Sequence, residues 1–346
     1  MKNLCPVILL ISMVYFVPAE ANEKFVLTAA VNSGLTVRIY ELNGNQMKIL
    51  NTANISAPAI STAVTFRKNN GVPTFYIYYS NCFDFDCFTS VLSMKKLDSN
   101  LNVVSSEDDL IGQIAPANFD LAAERVTTSS GTSLKLLLNE DFIVAHRTIA
   151  PRGLLSSPQE TAFVFDGGNF DFTAAPDGTM AVAWLGNTIL LHPIHPSKSG
   201  KSETIQPTNQ SPANLVLTGS ITPLSVGASV AEKFRLLFYR TFPSQDHRTQ
   251  LMMQRIDDAR VSFIGRPKVV RSLSKTPYVN PLSQSIAVTT GGSVVFYADY
   301  DKTCGKNVLK AQVLDPESGK NIGKPQVLIG CDQALMGFPA ISVSQF

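Results

Sequence analysis

The chain is poor in charged residues and balanced in the sign of its charge. Only 16% of its 346 residues are charged, and 29 Lys and Arg residues oppose 27 Asp and Glu residues, which gives a formal net charge of +2. This balance argues against nucleic acid as a partner and gives no sign of an acidic membrane partner. The hydrophobic fraction of 45% is too high for a disordered chain, so we expect a folded globular protein.

Short catalytic motifs are also missing. The sequence contains no nucleophile elbow, zinc-protease helix motif, nucleotide-binding glycine loop or CxxC redox pair. Their absence argues against those enzyme classes and indicates no cofactor. A site assembled from single residues on separate strands needs no local motif, however. We therefore expect a binding function and keep a hydrolase as the alternative.

The amino terminus has the form of an export signal. Lys2 provides a positive charge, an apolar run from Val7 to Val17 follows, and Ala19-Glu20-Ala21 has the small-x-small form that signal peptidase accepts. An apolar run of about eleven residues is too short to cross a hydrocarbon core that needs roughly 20. We predict a cleaved signal over 1–21 and one domain over 22–346, located in the periplasm or secreted, with no later membrane-spanning stretch.

Four cysteines follow the predicted signal: Cys82, Cys87, Cys304 and Cys331. An even number in an exported chain favours two disulfide bonds, although four cysteines allow three connectivities. Proximity in sequence favours Cys82 with Cys87, which leaves Cys304 with Cys331. Zinc is the alternative, but the sequence offers no CxxC pair or Cys/His cluster, so we predict no metal.

The sequence contains internal repeats. Phe238-Tyr239 matches Phe296-Tyr297, and the segment from Ile264 to Val269 matches that from Ile322 to Val327, both with an offset of 58 residues. Within each copy, short apolar and β-branched runs alternate with Gly, Asn, Asp and Pro, which is the pattern of strands and turns. No window shows a capped helical period, so we predict an all-β protein with little helix.

Four strands in a unit of about 50 residues form the blade of a β-propeller, and the predicted domain has room for six such blades. Pro58-Ala59-Ile60-Ser61 begins a blade, and its copy Pro339-Ala340-Ile341-Ser342 stands at the carboxyl end with no strands after it. The three strands that would complete it are at the amino end: Phe25 to Val31, Leu35 to Leu42 and Met47 to Ile55. We predict a six-bladed β-propeller of four-stranded antiparallel blades, closed by the carboxyl-terminal strand joining the amino-terminal strands. The remaining blades would span 57–113, 114–167, 168–212, 213–280 and 281–332.

This blade pattern resembles that of exported bacterial propeller-repeat proteins across the whole predicted domain. The resemblance implies the fold and no particular activity. The chain has a single tryptophan, Trp184, and lacks both the Gly-His and Trp-Asp pairs of WD repeats and the Ser-x-Asp-x-Gly-x-Thr-Trp box of sialidases. A two-sheet sandwich is the structural alternative, but it gives no reason for the divided Pro-Ala-Ile-Ser repeat.

One loop of the predicted propeller carries an unusual set of side chains. In a four-stranded meander, the loop between the second and third strands leaves the same face as the connection to the next blade. The segment 81–88 forms such a loop and holds aromatic rings beside carboxylates, namely Phe83, Asp84, Phe85, Asp86 and Phe88. A Cys82–Cys87 disulfide would pre-organise these side chains and lower the cost of ordering them on binding. We predict a recognition loop; the alternative is a stapled hairpin whose Phe side chains pack onto the blade. Two carboxylates are too few for calcium, which takes six to eight oxygen ligands.

Asp120 and Asp171 are the alternative candidates, for catalysis. Each ends an Asn-Phe-Asp triplet at the start of an inner strand, so their carboxylates would approach the central channel as a general acid and base or as a cation site. The simpler interpretation is that each carboxylate accepts backbone N–H groups at the turn into its blade.

Two other patterns resemble binding motifs only superficially. His192 and His195 are three positions apart in a strand and point to opposite faces. Gly265-Arg266-Pro267 and Gly323-Lys324-Pro325 precede no helix that presents N–H groups to a phosphate, so we interpret them as blade turns. The sequence thus predicts an exported binding or scaffold module that presents a disulfide-tied loop face to a protein or glycan. The alternative is a carbohydrate-active hydrolase or lyase with Asp120 and Asp171 at the channel rim.

Overall fold

The computed structural model of the chain describes residues 22–31, 33–59, 61–82, 90–114, 121–128, 131–140, 143–164, 170–174, 180–185, 189–194, 203–205, 212–217, 234–241, 249–257, 262–274, 286–333, 335 and 341–346. Strands dominate these residues, and the single helical element among them is a 3-10 turn at Cys331–Gln333. The predicted signal over 1–21 lies outside the described residues.

The strands form antiparallel sheets, and each sheet runs from an inner strand to an outer strand. From its inner edge outward, sheet I contains β25 (Ile341–Gln345), β1 (Glu23–Val31), β2 (Gly34–Asn43) and β3 (Gln46–Ile55). Sheet II contains β4 (Ser61–Asn69), β5 (Val72–Cys82), β6 (Ser90–Leu97) and β7 (Val103–Glu107), with the short β8 (Gln113–Ile114) also paired to β6. Sheet III contains β9 (Leu121–Thr128), β10 (Gly131–Glu140), β11 (Ile143–Ile149) and β12 (Gln159–Val164).

The second half of the chain continues in the same order. Sheet IV contains β13 (Phe170–Ala174), β14 (Met180–Leu185), β15 (Ile189–Ile194) and β16 (Glu203–Ile205). Sheet V contains β17 (Pro212–Leu217), β18 (Phe234–Thr241), β19 (Gln250–Asp257) and β20 (Ser262–Ser272). Sheet VI contains β21 (Ile286–Val288), β22 (Val294–Asp301), β23 (Lys306–Asp315) and β24 (Lys320–Ile329).

The innermost strands of these sheets touch one another in sequence around a central axis. Contacts run from β25 to β4, then β9, β13, β17 and β21, and from β21 back to β25. This arrangement is a β-propeller of four-stranded antiparallel blades, as the sequence predicted. Each predicted repeat span contains the strands of one sheet, except that Ile114 and Pro212 lie one residue outside the expected boundaries.

Alternate residues of the second strand in a sheet are buried against different neighbouring sheets. In β5, Phe75, Ile77 and Tyr79 pack in the apolar cluster between sheets II and I. Tyr76 and Tyr78, which point the other way, pack in the cluster between sheets II and III. Both faces of sheet II are therefore covered, whereas a two-sheet sandwich covers one face of each sheet. Because both faces of the sheet are buried, these strands have continuous apolar runs and not an alternation of apolar and polar residues.

Both chain ends meet in sheet I, as predicted. The terminal strand β25 pairs antiparallel with β1, with Phe25 opposite Gln345 and Ala29 opposite Ile341. The ring of Phe346 packs against those of Phe66 and Phe75 in sheet II, with centroids 5.7 Å and 5.0 Å away. Pairing β25 with β1 covers a strand edge that would otherwise be free to bind another chain.

The interpretation of Gly265-Arg266-Pro267 and Gly323-Lys324-Pro325 as blade turns is wrong. Both segments lie within outer strands, β20 and β24, at irregular positions in the pairing with β19 and β23. Gly265 and Gly323 adopt φ of 69° and 70°. Because glycine reaches positive φ without steric cost in a β-bulge as well as in a turn, the Gly-Pro pattern alone did not distinguish the two.

Candidate functional site

One face of the propeller carries two kinds of connection, and we call it the loop face. The loops between the second and third strands leave the sheets here, as do the connections from the outer strand to the inner strand of the next sheet. Residues 302–305 and 330–333 are described examples in and after sheet VI. The turns between third and fourth strands, such as 316–319, lie on the opposite face.

A disulfide bond joins the two kinds of connection. Cys304, between β22 and β23, is bonded to Cys331, just after β24, with Cα atoms 6.0 Å apart and a sequence separation of 27 residues. This predicted pairing is confirmed. The bond ties the loop between the second and third strands of sheet VI to the segment that leads toward the closing strand β25.

Local hydrogen bonds shape the turn that presents Cys304. The Asp301 carboxylate accepts a hydrogen bond of 2.8 Å from the Thr303 N–H, and the Gly305 N–H donates to the Asp301 carbonyl at 2.9 Å. The bond from the Thr303 backbone is the main reason that the pKa of Asp301 lies below its usual range. Asp301 lies beside both cysteines, but their sulfur atoms are bonded to each other and are not available to a metal ion. The group is therefore a turn with a disulfide and not a metal centre.

The segment after Cys331 is held between sheets VI and I. Arg38 of β2 donates one hydrogen bond to the Leu328 carbonyl and another, 2.7 Å long, to the side-chain oxygen of Gln333. Leu335 is buried, forms a β-bridge with Val31, and its N–H donates to the Asn307 carbonyl at 3.1 Å. These contacts fix the loop face where the ring closes.

A buried polar cluster supports the loop face between sheets V and VI. The Asp299 carboxylate accepts hydrogen bonds from Lys310 Nζ at 2.8 Å and from the Ser274 N–H at 2.9 Å. Arg240 reaches across from β18 and donates to the Ala298 carbonyl at 2.7 Å. Burial lowers the pKa of Arg240 to about 10, against the opposing effect of the nearby Asp299 charge. Buried charges of this kind need such partners, so the cluster fixes the strand ends in place.

The predicted recognition loop connects two described strands. Cys82 is the last residue of β5 and pairs with Ser90, the first residue of β6, so residues 83–89 join neighbouring strands at the loop face. The predicted binding residues lie outside the described part of the chain, and so does Cys87; they are Phe83, Asp84, Phe85, Asp86 and Phe88. The binding role and the Cys82–Cys87 bond remain predictions.

The two predicted channel carboxylates are described only in part. Asp171 lies in the innermost strand β13, opposite Ala183 of β14, as the sequence predicted. Its side chain and the whole of Asp120 lie outside the described residues.

Sequence reasoning did not find the residues that support the loop face, namely Arg38, Gln333, Asp299 and Lys310. A local pattern does not show which elements pack together, and Arg38 and Leu328, for example, are 290 positions apart.

Comparisons with known proteins identify the fold and no family. No protein-family model matches the chain, and no curated protein matches it either. Among solved structures, a mutant Aleuria aurantia lectin in complex with α-methyl-L-fucoside is 13% identical, covers 91% of this chain and 97% of its own, and has a TM-score of 0.56. The same lectin with Fucα1-6GlcNAc gives 13% identity, 88% and 94% coverage, and a TM-score of 0.55. AofleA from Arthrobotrys oligospora is 12% identical over 92% of this chain and 89% of its own, with a TM-score of 0.54.

These similarities show a shared propeller fold, and identities this low carry no site residues across. Within the part of the chain that the structure describes, no helix combines the length and the hydrophobicity that a bilayer span requires.

Proposed function

We propose that the protein is an exported, non-catalytic binding module, a closed ring of six blades that presents its loop face to a glycan. The observation that carries this proposal is the Cys304–Cys331 bond, which fastens a loop and a blade connection to each other on that face. Loops that are fixed before binding lose less conformational entropy when they meet a ligand.

The chemistry of the loop 83–89 supports a glycan as the ligand. Phe83, Phe85 and Phe88 supply flat apolar surfaces for the C–H faces of sugar rings, and Asp84 and Asp86 supply acceptors for hydroxyl groups. The loop emerges between β5 and β6 on the same face as the disulfide. Aromatic rings beside acceptors at the ends of rigid strands are typical of a binding surface.

The similar structures suggest the first ligand to try. The Aleuria aurantia lectin has the same propeller fold and binds α-methyl-L-fucoside and Fucα1-6GlcNAc. This is an analogy of fold, so α-methyl-L-fucoside is the probe for a first titration, followed by an array of other neutral and acidic glycans.

The test compares loop-face and opposite-face variants. We expect Phe83→Ala and Phe85→Ala to weaken glycan binding by at least about tenfold, since buried aromatic side chains dominate binding energy. Leu154→Ala is the matched control: Leu154 is 47% exposed and lies in the connection between β11 and β12, on the opposite face. Binding is measured by calorimetry or on the array, and thermal unfolding confirms that each variant is folded. The proposal fails if no glycan binds, or if Leu154→Ala weakens binding as much as the Phe variants.

A hydrolase or lyase is the second candidate, favoured by the place of Asp171. Asp171 lies in β13, which contacts the inner strands β9 and β17 around the central axis. A carboxylate there with Asp120 would provide a general acid and base for glycosidic cleavage. Asp171→Asn would then abolish release of reducing ends from a glycan while leaving the thermal unfolding midpoint unchanged. If Asp171→Asn instead unfolds part of the protein, and the fraction that stays folded keeps its specific activity, then Asp171 stabilises the turn and is not catalytic.

A further inference from the structure

Among the described residues, the outer strands carry most of the exposed large aliphatic side chains. Of the ten large hydrophobic residues that are exposed among the described residues, eight lie on β3, β7, β20 and β24. They are Ile49, Leu50, Val103, Val104, Ile264, Val269, Ile322 and Val327. Single exposed aliphatic residues need no explanation, but a series on neighbouring outer strands marks an interaction surface.

Three of these strands are also basic, and together we call them the basic rim: β20, β24 and β3. The rim contains no Asp or Glu, and five of its cations are exposed: Arg266, Lys268, Lys320, Lys324 and Lys48. The nearest acidic residues in sequence lie outside the three strands: Asp258 precedes β20, Glu41 precedes β3, and Glu317 and Asp332 flank β24. The net charge of +2 for the whole chain therefore conceals a local concentration of positive charge.

The repeat explains why cationic and aliphatic side chains alternate along the outer strands. Ile264, Arg266 and Val269 of β20 correspond to Ile322, Lys324 and Val327 of β24 at the offset of 58 residues, and all six side chains are exposed. The bulges at Gly265 and Gly323 turn successive side chains outward in both strands. Each strand thus presents a cation between two aliphatic side chains.

The three strands form one continuous surface. Asn321 of β24 donates a hydrogen bond to the Val270 carbonyl of β20 at 3.1 Å. On the other side of β24, Gln326 donates to the Asn45 carbonyl at 2.8 Å and accepts from the Met47 N–H at 2.9 Å, which links it to β3. The rim is therefore a fixed arc over sheets V, VI and I.

The backbone edge of the rim is poorly suited to pairing with another strand. Pro267 and Pro325 lack an N–H group, and the bulges interrupt the regular spacing of donors and acceptors. Recognition must therefore use the side chains, which offer positive charge and aliphatic surface together. The ligand that matches both is a surface that is anionic and apolar.

We propose that the basic rim binds the surface of a membrane that contains anionic phospholipids. Lys and Arg side chains contact the headgroups, and Ile264, Val269, Ile322 and Val327 enter the boundary between headgroups and acyl chains. The rim lies on the perimeter and not on the loop face, so this inference does not depend on glycan binding. Each cation near an anionic membrane strengthens binding by about fivefold at low ionic strength.

The test is sedimentation of the full chain with vesicles of phosphatidylcholine alone or of phosphatidylcholine with phosphatidylserine. We expect binding to the anionic vesicles only, weakened by salt. The charge variant Arg266→Ser, Lys268→Ser, Lys324→Ser is expected to bind at least about tenfold more weakly. The aliphatic variant Val269→Thr, Val327→Thr keeps the charge and the β-branched shape, and is expected to lose binding as well because threonine enters the acyl boundary poorly.

The control variant is Val103→Thr, Val104→Thr on β7, a strand with exposed valines and no cation. Every variant carries the same amino terminus, so any contribution of residues 1–21 is common to all. If the aliphatic variant binds dextran sulfate and anionic vesicles as strongly as the unsubstituted protein does, the rim binds polyanions in general through its charge. That result would overturn the proposal. Equal binding to both kinds of vesicle, no binding at low salt, or an equal loss in the β7 variant would overturn it too.

Discussion

Aspartate side chains close the turns between third and fourth strands in sheets II and VI. Asp98 accepts hydrogen bonds from the Asn100 and Asn102 N–H groups at 2.9 Å and 2.8 Å. Asp315 accepts from the Glu317 N–H at 3.1 Å and from the Ser318 hydroxyl. Leu97-Asp98 and Leu314-Asp315 thus have the same role at the ends of their strands, since a carboxylate with backbone donors stabilises a tight turn.

This bonding makes the stability of the protein depend on pH through Asp315. The Ser318 hydroxyl, followed by the Glu317 N–H, lowers the pKa of Asp315 from its ordinary value of 3.8. A lowered folded-state pKa contributes stability that is complete above the unfolded value and is lost as pH falls through the folded value. We expect Asp315→Asn to lower the urea midpoint at pH 6 and to leave it unchanged at pH 2. A difference that is the same at both values would show that the charge has no part in the turn.

A second local effect concerns Gly34, where the chain enters β2. Gly34 has a φ of 128°, and a Cβ atom there would lie 2.2 Å from the Ile55 carbonyl oxygen and 2.9 Å from the Ala57 nitrogen. Gly44 has a φ of 61° with open space around it. We expect Gly34→Ala to cost about 3 kcal/mol or more of unfolding free energy, because backbone atoms must move.

Gly44→Ala is the matched control, with an expected cost of about 1 kcal/mol for positive φ alone. Chemical denaturation of both variants measures the difference. Equal costs would mean that the approach of Gly34 to Ile55 and Ala57 is not a constraint on the fold.

Among the strands, a buried glutamine supports each bulged outer strand in sheets V and VI. The Gln312 amide donates to the carbonyls of Val313 at 2.9 Å and Ile322 at 3.2 Å. Gln254 donates to the carbonyls of Arg255 at 3.3 Å and Ile264 at 2.8 Å in the same way. The two glutamines are 58 positions apart, so the repeat contains the support together with the bulge.

We expect Gln254→Ala and Gln312→Ala each to cost about 2 kcal/mol, because carbonyl groups in the bulge lose a buried donor. The double variant is expected to lose the sum within about 0.5 kcal/mol, since the two sites lie in different sheets. Gln46→Ala, at an exposed position of β3, is the control and is expected to change stability by less than about 0.5 kcal/mol. Urea unfolding of the four variants and of the unsubstituted protein provides the comparison. If the Gln312 variant is as stable as the Gln46 variant, the bulge does not need its glutamine.

For the propeller as a whole, stability depends on contacts between sheets and on closure of the ring. Phe25 of sheet I packs against Phe296 of sheet VI with ring centroids 5.5 Å apart, beside Tyr40 at 5.8 Å. The side chain of Ser293 donates to the Glu23 carboxylate at 2.7 Å across the same join. The first and last parts of the chain thus hold each other in place.

We expect loss of the closing strand β25 to destabilise the whole propeller, although the strand is short. Deletion of residues 341–346 removes β25 and exposes the inner edge of β1, so we expect broadened, non-cooperative unfolding and self-association. Phe346→Ala keeps the strand and removes only the ring contacts with Phe66 and Phe75, with an expected cost of about 2 kcal/mol because the ring is only partly buried. Calorimetry and sedimentation velocity distinguish the two variants. A cooperative, monomeric deletion variant would contradict a role for closure.

The propeller and the joining of both chain ends in one sheet could be predicted from the order of residues alone. These features follow from repeats and from strand and turn patterns, which are local in the chain and are copied from blade to blade. The pairing of Cys304 with Cys331 was predicted as well, but only as the pair that remains when the neighbours Cys82 and Cys87 are joined. The binding residues Phe83 to Phe88 and the carboxylates Asp120 and Asp171 stay predictions of the same kind.

The side chains that meet between sheets could be identified only in the folded protein. Arg38 with Leu328, Arg240 with Ala298 and the arc of cations over β20, β24 and β3 join residues that no local pattern relates. The fold also showed that the Gly-Pro segments at Gly265 and Gly323 are bulges on an exposed rim and not turns. A strand pattern fixes the alternation of faces, but packing of one sheet on the next sets what each face touches.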